Sequence, residues 1–176
     1  MTPTETLRHE HDIILLVLSA AEREIQSEGM DVAKIGQMLD FFRNFADKCH
    51  HMKEEKQLFV RLSQRGMPFH GGPIAVMMTE HELGRHYLRT TAAAIPIAQT
   101  GNTDARQTIA ENMSEYVELL RAHIRKENEI LFPMADRILS PEDQVDLEKE
   151  FARVEAEDIG PGEHEKYHQL AHALTA

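Results

Sequence analysis

The chain has a single cysteine, Cys49, among 176 residues, which excludes an internal disulfide and any thiolate metal cluster. It also lacks cationic excess: 19 Lys and Arg against 30 Asp and Glu leave a formal charge of -11. Such a surface repels phosphate backbones and anionic lipid, so neither nucleic acid nor a membrane is an expected partner. No apolar run approaches the ~20 residues that cross a bilayer; the longest, Ile13 to Ala21, is short and interrupted by Ser19. No cationic stretch followed by an apolar segment opens the chain, so no secretory signal is read and a cytoplasmic location is expected. Alternating strand patterns, a phosphate-binding glycine loop and a Ser-His-Asp set are missing too.

What remains is helical periodicity in an ordinary globular composition, with 41% hydrophobic and 28% charged residues. Thr2-Pro3-Thr4-Glu5 reads as a capping box with proline at the first helical position. A stripe follows at Leu7, His11, Ile14, Leu15 and Leu18 and ends near Gly29. Asp31 can cap a second, long helix whose stripe includes Ile35, Leu39, Phe42, Phe45, Met52, Glu55, Leu58, Phe59 and Leu62, before the Gly66–Gly72 break. A third helix starts near Pro73, with Pro96 expected to kink or fray its end. A fourth is capped by Asn102 or Thr103 and carries a predicted kink at Pro133. Ser140 starts a shorter fifth helix, and a turn at Asp158–Gly162 precedes a last one from His164 to Leu174. The expected architecture is all-α: an up-down-up-down four-helix bundle over residues 1–137, with residues 138–176 as a short C-terminal helical extension packed on it.

Eleven histidines is a high count for this length, and their placement is informative. His51 and Glu55 on helix two, and His123 and Glu127 on helix four, share a four-residue spacing. Such residues differ by about 40° in direction and about 6 Å in rise, so an imidazole and a carboxylate can converge on one ion. His11 and His81 supply one imidazole each from helices one and three. Glu55 and Glu127 sit among apolar neighbours, and two carboxylates in an apolar interior each cost several kcal/mol unless paired or metal-bound. No Lys or Arg lies on either stripe to neutralise them. The expected ligands are therefore His11, His51, Glu55, His81, His123 and Glu127. Imidazole and carboxylate without thiolate suit iron, manganese or zinc, and bundle helices build two-metal sites from such residues.

The segments Cys49-His-His-Met-Lys-Glu-Glu-Lys-Gln-Leu-Phe59, Glu80-His-Glu-Leu-Gly-Arg85 and His123-Ile-Arg-Lys-Glu-Asn-Glu-Ile-Leu-Phe-Pro133 closely resemble the hemerythrin-like (HHE cation-binding) family over roughly residues 5–137. The resemblance implies a non-haem di-iron centre, oxo- or hydroxo-bridged and carboxylate-bridged, with the same six ligands. It also implies binding or sensing of a small ligand such as oxygen, nitric oxide or peroxide. A di-iron redox enzyme of peroxidase, catalase-like or oxidase type, and a structural zinc-filled bundle, are the alternatives. The motifs depart from those of the oxygen carriers, whose third helix has HxxxH: Arg85 stands where the second histidine would be. The pattern is similar to that of divergent members implicated in iron and oxygen sensing, nitrosative-stress repair and peroxide chemistry.

Other residues have secondary expectations. Arg85 shares a face with His81 and can pair with a carboxylate at the bundle mouth or steady an anionic ligand. His164, Tyr167 and His168 on the last helix are candidates for an additional ligand, set against a helix that simply caps the bundle. His9 and His50 point away from the core on the helical wheel and are expected at the surface. His50-Glu54 repeats the spacing of His51-Glu55 one residue earlier; the apolar neighbours of Glu55 favour the second register.

Overall fold

The computed structural model describes residues 1–176, all helices and connecting turns without a strand. Helix α1 (Pro3–Gln26) opens with the expected capping box, Thr2 and Glu5 each accepting the other's backbone N–H. Asp31 caps α2 (Val32–Phe41) by accepting from the amides of Ala33 and Lys34. The chain then runs on through two π-helical stretches, Phe42–His51 and Glu54–Leu58, into α3 (Phe59–Gln64). Beyond the glycine-rich turn lies α4 (Pro73–Ala98), which passes Pro96 and ends two residues later.

Asn102 caps α5 (Thr103–Lys126), and a π-helical turn, Glu127–Leu131, leads into α6 (Phe132–Ile138). The interruption expected at Pro133 takes this form: the Phe132 amide reaches back five residues to the Glu127 carbonyl. Ser140 and Asp143 form a second capping box for α7 (Pro141–Arg153), which continues through a π-helical stretch, Val154–Ile159, and a turn to α8 (Glu163–Thr175). No helix is long and apolar enough to cross a membrane.

Along each of the four long arms the apolar core is interrupted at one level. The larger apolar cluster takes Ile14–Ala21 from α1, Phe41–Ala46 from the second arm, Leu88 onward from α4 and Ile109–Ile124 from α5. The smaller takes Leu7, then Leu58–Leu62, then Ile74 and Met77, then Leu131–Ala135. Between these halves lie His11, His50–Glu54, His81 and His123–Glu127, so every arm contributes polar side chains to one buried layer. The C-terminal helices join both halves: Leu147 and Phe151 enter the smaller cluster, and Tyr167, Ala171 and Leu174 the larger.

Phe42 carries much of the larger half. It is fully buried, edge-on to Phe41 and 4.9 Å from the Tyr116 ring centre. Removing so large a side chain loses its transfer energy and leaves a cavity. Phe42→Ala is expected to lower the unfolding free energy by about 3–5 kcal/mol, measured by urea denaturation of the metal-free chain.

Candidate metal centre

Five imidazoles and two carboxylates converge in the buried layer, forming two donor groups. One consists of His11, His50, Glu54 and Glu127; the other of His51, Glu54, His81 and His123. Within each group, one donor atom per residue lies within 4.8 Å of every other. Both carboxylates face both groups. Glu54 turns Oε1 toward His50 Nε2 at 3.1 Å and Oε2 toward His81 Nε2 at 3.3 Å. Glu127 turns Oε2 toward His11 Nε2 at 3.1 Å and Oε1 toward His123 Nε2 at 3.2 Å. Each acid therefore has one oxygen for each of two cations.

The outward nitrogens hold the rings in this orientation. His50 Nδ1–H donates to Glu10 at 2.7 Å, His51 to Asp47 at 3.3 Å, His81 to Glu55 at 2.6 Å and His123 to Glu80 at 3.1 Å. His11 uses the amide oxygen of Asn128, at 2.8 Å. A ring that donates through Nδ1 presents a lone pair at Nε2, the orientation a metal-binding histidine requires. The carboxylates are in turn held by cations. Lys53 donates to Glu10, and Lys126 to Glu80. Arg85 spans Asp47 and Glu55, with 2.8 Å contacts to each.

The inner atoms have no comparable partners. All four oxygens of Glu54 and Glu127, together with His11 Nε2 and His50 Nε2, are buried without a hydrogen bond. His81 Nε2 and His123 Nε2 face each other at 3.1 Å although both rings already donate through Nδ1. Two facing lone pairs repel unless a proton or a cation lies between them. In the metal-free chain protons partly fill this role. Desolvation and the neighbouring Glu127 charge hold Glu54 well above the usual carboxylate range. Burial opposes the ionised form of Glu127 as well, yet His123 and His11 hold it well below that range. Desolvation works against charge on His123, but Glu127 and Glu80 lift it to about 10. Burial lowers His51 to about 4 and His81 well below its usual value. Cations entering here would displace protons and satisfy every orphaned atom. The donor set fits a pair of metal ions.

The arrangement corrects part of the sequence reading. Glu54, not Glu55, lies in the convergent set; Glu55 stands outside it, half-desolvated, between His81 Nδ1 and Arg85. His50, expected at the surface, is fully buried and faces the site, while its neighbour His51 faces it too; His9 is exposed. The α-helical wheel does not apply here. Residues 42–51 and 54–58 wind as wider i→i+5 turns, which re-aim consecutive side chains. His11, His51, His81, His123 and Glu127, five of the six expected ligands, lie in the donor groups. His164 is turned instead to Glu155, 3.1 Å away. Tyr167 is packed in the larger apolar cluster, and His168 meets His172 edge-on. A buried lysine, Lys53, is also present where the stripes showed no cation, but it neutralises Glu10 rather than either inner acid. The tandem His50-His51 pair was the one signal in the sequence that both of these histidines could face the site.

A helical bundle with five inward histidines and two glutamates facing both groups defines a class: all-α proteins whose core side chains can hold metal cations. The model of the hemerythrin HHE cation-binding domain matches residues 2–135, and the chain belongs to that family. An uncharacterised protein of Mycobacterium tuberculosis is 26% identical over 164 residues, covering 91% of this chain and 64% of that protein. The iron-sulfur cluster repair protein YtfE of Yersinia pseudotuberculosis is 29% identical over 135 residues, covering 74% of this chain and 60% of YtfE. The chain thus spans less than two thirds of the length of either relative. No solved structure matches it.

Glu10 offers a test of the outer shell without metal. Burial opposes its charge, but His50 and Lys53 hold it down at about 2, against an ordinary value of 4.5. Because the folded value is depressed, the stabilisation is present above pH 4.5 and is lost as pH falls toward 2. Glu10→Gln is expected to destabilise the metal-free chain near pH 6 by on the order of 3 kcal/mol. The gap to wild type should close between pH 4.5 and pH 2 in denaturant titrations. A gap independent of pH would show that the charge of Glu10 contributes nothing.

Proposed function

We propose that this protein holds a non-haem di-iron centre that binds or senses a small ligand, of the class of oxygen, nitric oxide or peroxide. The observation that carries the reading is the set of orphaned donor atoms on Glu54, Glu127, His11 and His50. His11 and His50 would hold one ion, and His51, His81 and His123 the other, with Glu54 and Glu127 shared between them. An imidazole and carboxylate set without thiolate suits iron, and manganese or zinc are the other metals it accommodates. When bound, a pair of irons supplies redox-active coordination positions for a small ligand. The first group offers one imidazole fewer, which leaves more of that ion's coordination to a ligand from outside.

The residues around the site support a small ligand. Above and below, apolar side chains close the layer; Phe132 stacks on His11 at 5.4 Å, and Phe59 lies parallel to His81. A narrow crevice of about 10 Å³, room for no more than a single water, opens beside His51 and His81, lined by Asp47, Gly84, Arg85 and Tyr116. A Cβ on Gly84 would lie 3.4 Å from the Tyr116 ring, so the crevice has little room to spare. Arg85, with its nitrogens spent on Asp47, Glu55 and Glu82, steadies the two outer carboxylates. The up-down-up-down order of four arms, with residues 138–176 as an added helical segment, is supported by the single level at which every arm meets the polar layer.

Metal analysis after anaerobic loading with ferrous iron tests the reading. Two irons per chain are expected in the wild type. Glu54→Ala and Glu127→Ala should each fail to retain the pair. Glu55→Ala should still bind two, with affinity weakened by about 10- to 100-fold as for other groups that orient a ligand. Two irons retained by Glu54→Ala would reject the assignment.

A further inference from the structure

Residues 138–176 lie wholly beyond the segment matched by the family model, yet they reach the polar layer from outside. Lys53 is the contact point. Its side chain is completely buried, and its Nζ donates to Glu10 on one side and to Glu155 on the other, the latter at 2.5 Å. Glu10 in turn accepts from His50 Nδ1. Phe151, one helical turn before Glu155, covers the same lysine with its ring 5.8 Å from Nζ. The same Glu155 oxygen is met by His164 Nδ1 of α8, at 3.1 Å. A continuous chain of charged contacts therefore joins α8 to a donor of the metal layer: His164, Glu155, Lys53, Glu10, His50.

Cys49 and His164 bring further donor atoms close to Glu10 and Glu155, and the cluster has the composition of a third cation site. Lys53 Nζ already bridges its two carboxylates, and burial pushes the Cys49 thiol up to about 12. The lysine ammonium is the cation of this cluster.

An ammonium buried between two carboxylates is strongly constrained, because removing either partner leaves a desolvated charge unbalanced. If Glu155 is absent, Lys53 keeps only Glu10 as an anionic partner, and the group that fixes the second oxygen of Glu10 is itself held from one side only. The orientation of His50 then rests on a less firmly held carboxylate. His51, His81 and His123 are oriented by Asp47, Glu55 and Glu80, whose cations are Arg85 and Lys126. None of these comes from the C-terminal segment. Its influence therefore falls on one side of the site.

We propose that the C-terminal segment is a working part of the metal centre: Glu155, seated by His164, is a positioning residue that acts through Lys53 and Glu10 to hold His50 on the ion it shares with His11. The proposal rests on the two-metal reading above. It is tested by loading the full chain with two ferrous ions and following their release to an excess of chelator under anaerobic conditions. Glu155→Gln should speed the release of one ion severalfold and leave the other at the wild-type rate. The accelerated ion should be the one that Asn128→Ala loosens through His11. Because Glu155 acts through the lysine, Glu155→Gln should add nothing further in a Lys53→Met background, a coupling that a general loss of packing would not produce. Equal acceleration of both ions, additive effects of the two substitutions, or unchanged release would each overturn the proposal. A wild-type chain that takes up no second ion would instead overturn the two-metal reading, and this proposal with it.

Discussion

The structure is organised by the mutual repulsion of Glu54 and Glu127. Two carboxylates facing each other in a dry interior, without a single hydrogen bond to any of their four oxygens, cannot both be ionised unless positive charge lies between them. Everything around them follows from this. Five imidazole nitrogens are turned inward, where they can serve as donors to a cation. The apolar clusters above and below exclude water that could have satisfied the acids. In the metal-free chain burial and the Glu127 charge hold Glu54 well above the usual carboxylate range and, against its desolvation, Glu127 lifts His123 to about 10, so protons supply part of the balancing charge.

Positive charge is also arranged in shells. The inner layer contains no Lys or Arg, yet four of the five histidines donate to a carboxylate that a Lys or Arg holds in place. Only His11 relies on a neutral amide, that of Asn128. The outer cations balance the outer acids and leave the inner acids unbalanced, which keeps the centre's affinity for metal while letting the histidines be oriented by strong, charge-assisted hydrogen bonds. Arg85 illustrates the economy of the design. It stands at a position where oxygen carriers resembling this chain have a histidine, and here one guanidinium orients two rings, His51 through Asp47 and His81 through Glu55.

Most of the helical architecture was legible in the sequence because it rests on local signals. Capping boxes at Thr2 and Ser140, the Asp31 and Asn102 caps and the Gly66–Gly72 break lie where the helices start and stop. His11, His81, His123 and Glu127 were legible because their arms are α-helical up to those positions, so a 3.6-residue stripe aims them correctly. The second arm was legible only at His51, since its π-helical winding begins at Phe42, well before the donors. A wheel drawn at α-helical pitch sends His50 outward and brings Glu55 inward, and it is wrong for both. The outer carboxylates were illegible for another reason. Glu10, Asp47 and Glu80 look like ordinary surface acids in a chain with thirty of them, and only tertiary packing shows which of them meets an imidazole.

The π-helical turns give the site its shape as well as its ambiguity. One such turn begins at Glu54 and another at Glu127, and in both the amide five residues on, of Phe59 or Phe132, bonds to the glutamate carbonyl. Wider turns are less favourable than α-helix and survive where something holds them. Here the shared glutamate heads the turn, and the phenylalanine that closes it packs against a histidine of the site, Phe59 on His81 and Phe132 on His11. The same local device thus performs two tasks on each arm: it aims a carboxylate at the layer and seals the layer from below. On the second arm the widening extends upstream and permits a third task, since consecutive histidines can then face different donor groups. That is how a chain with arginine at the second third-helix position still gathers five imidazoles: the missing ring is supplied by the neighbour of His50, one residue along a helix that has been unwound enough to present both.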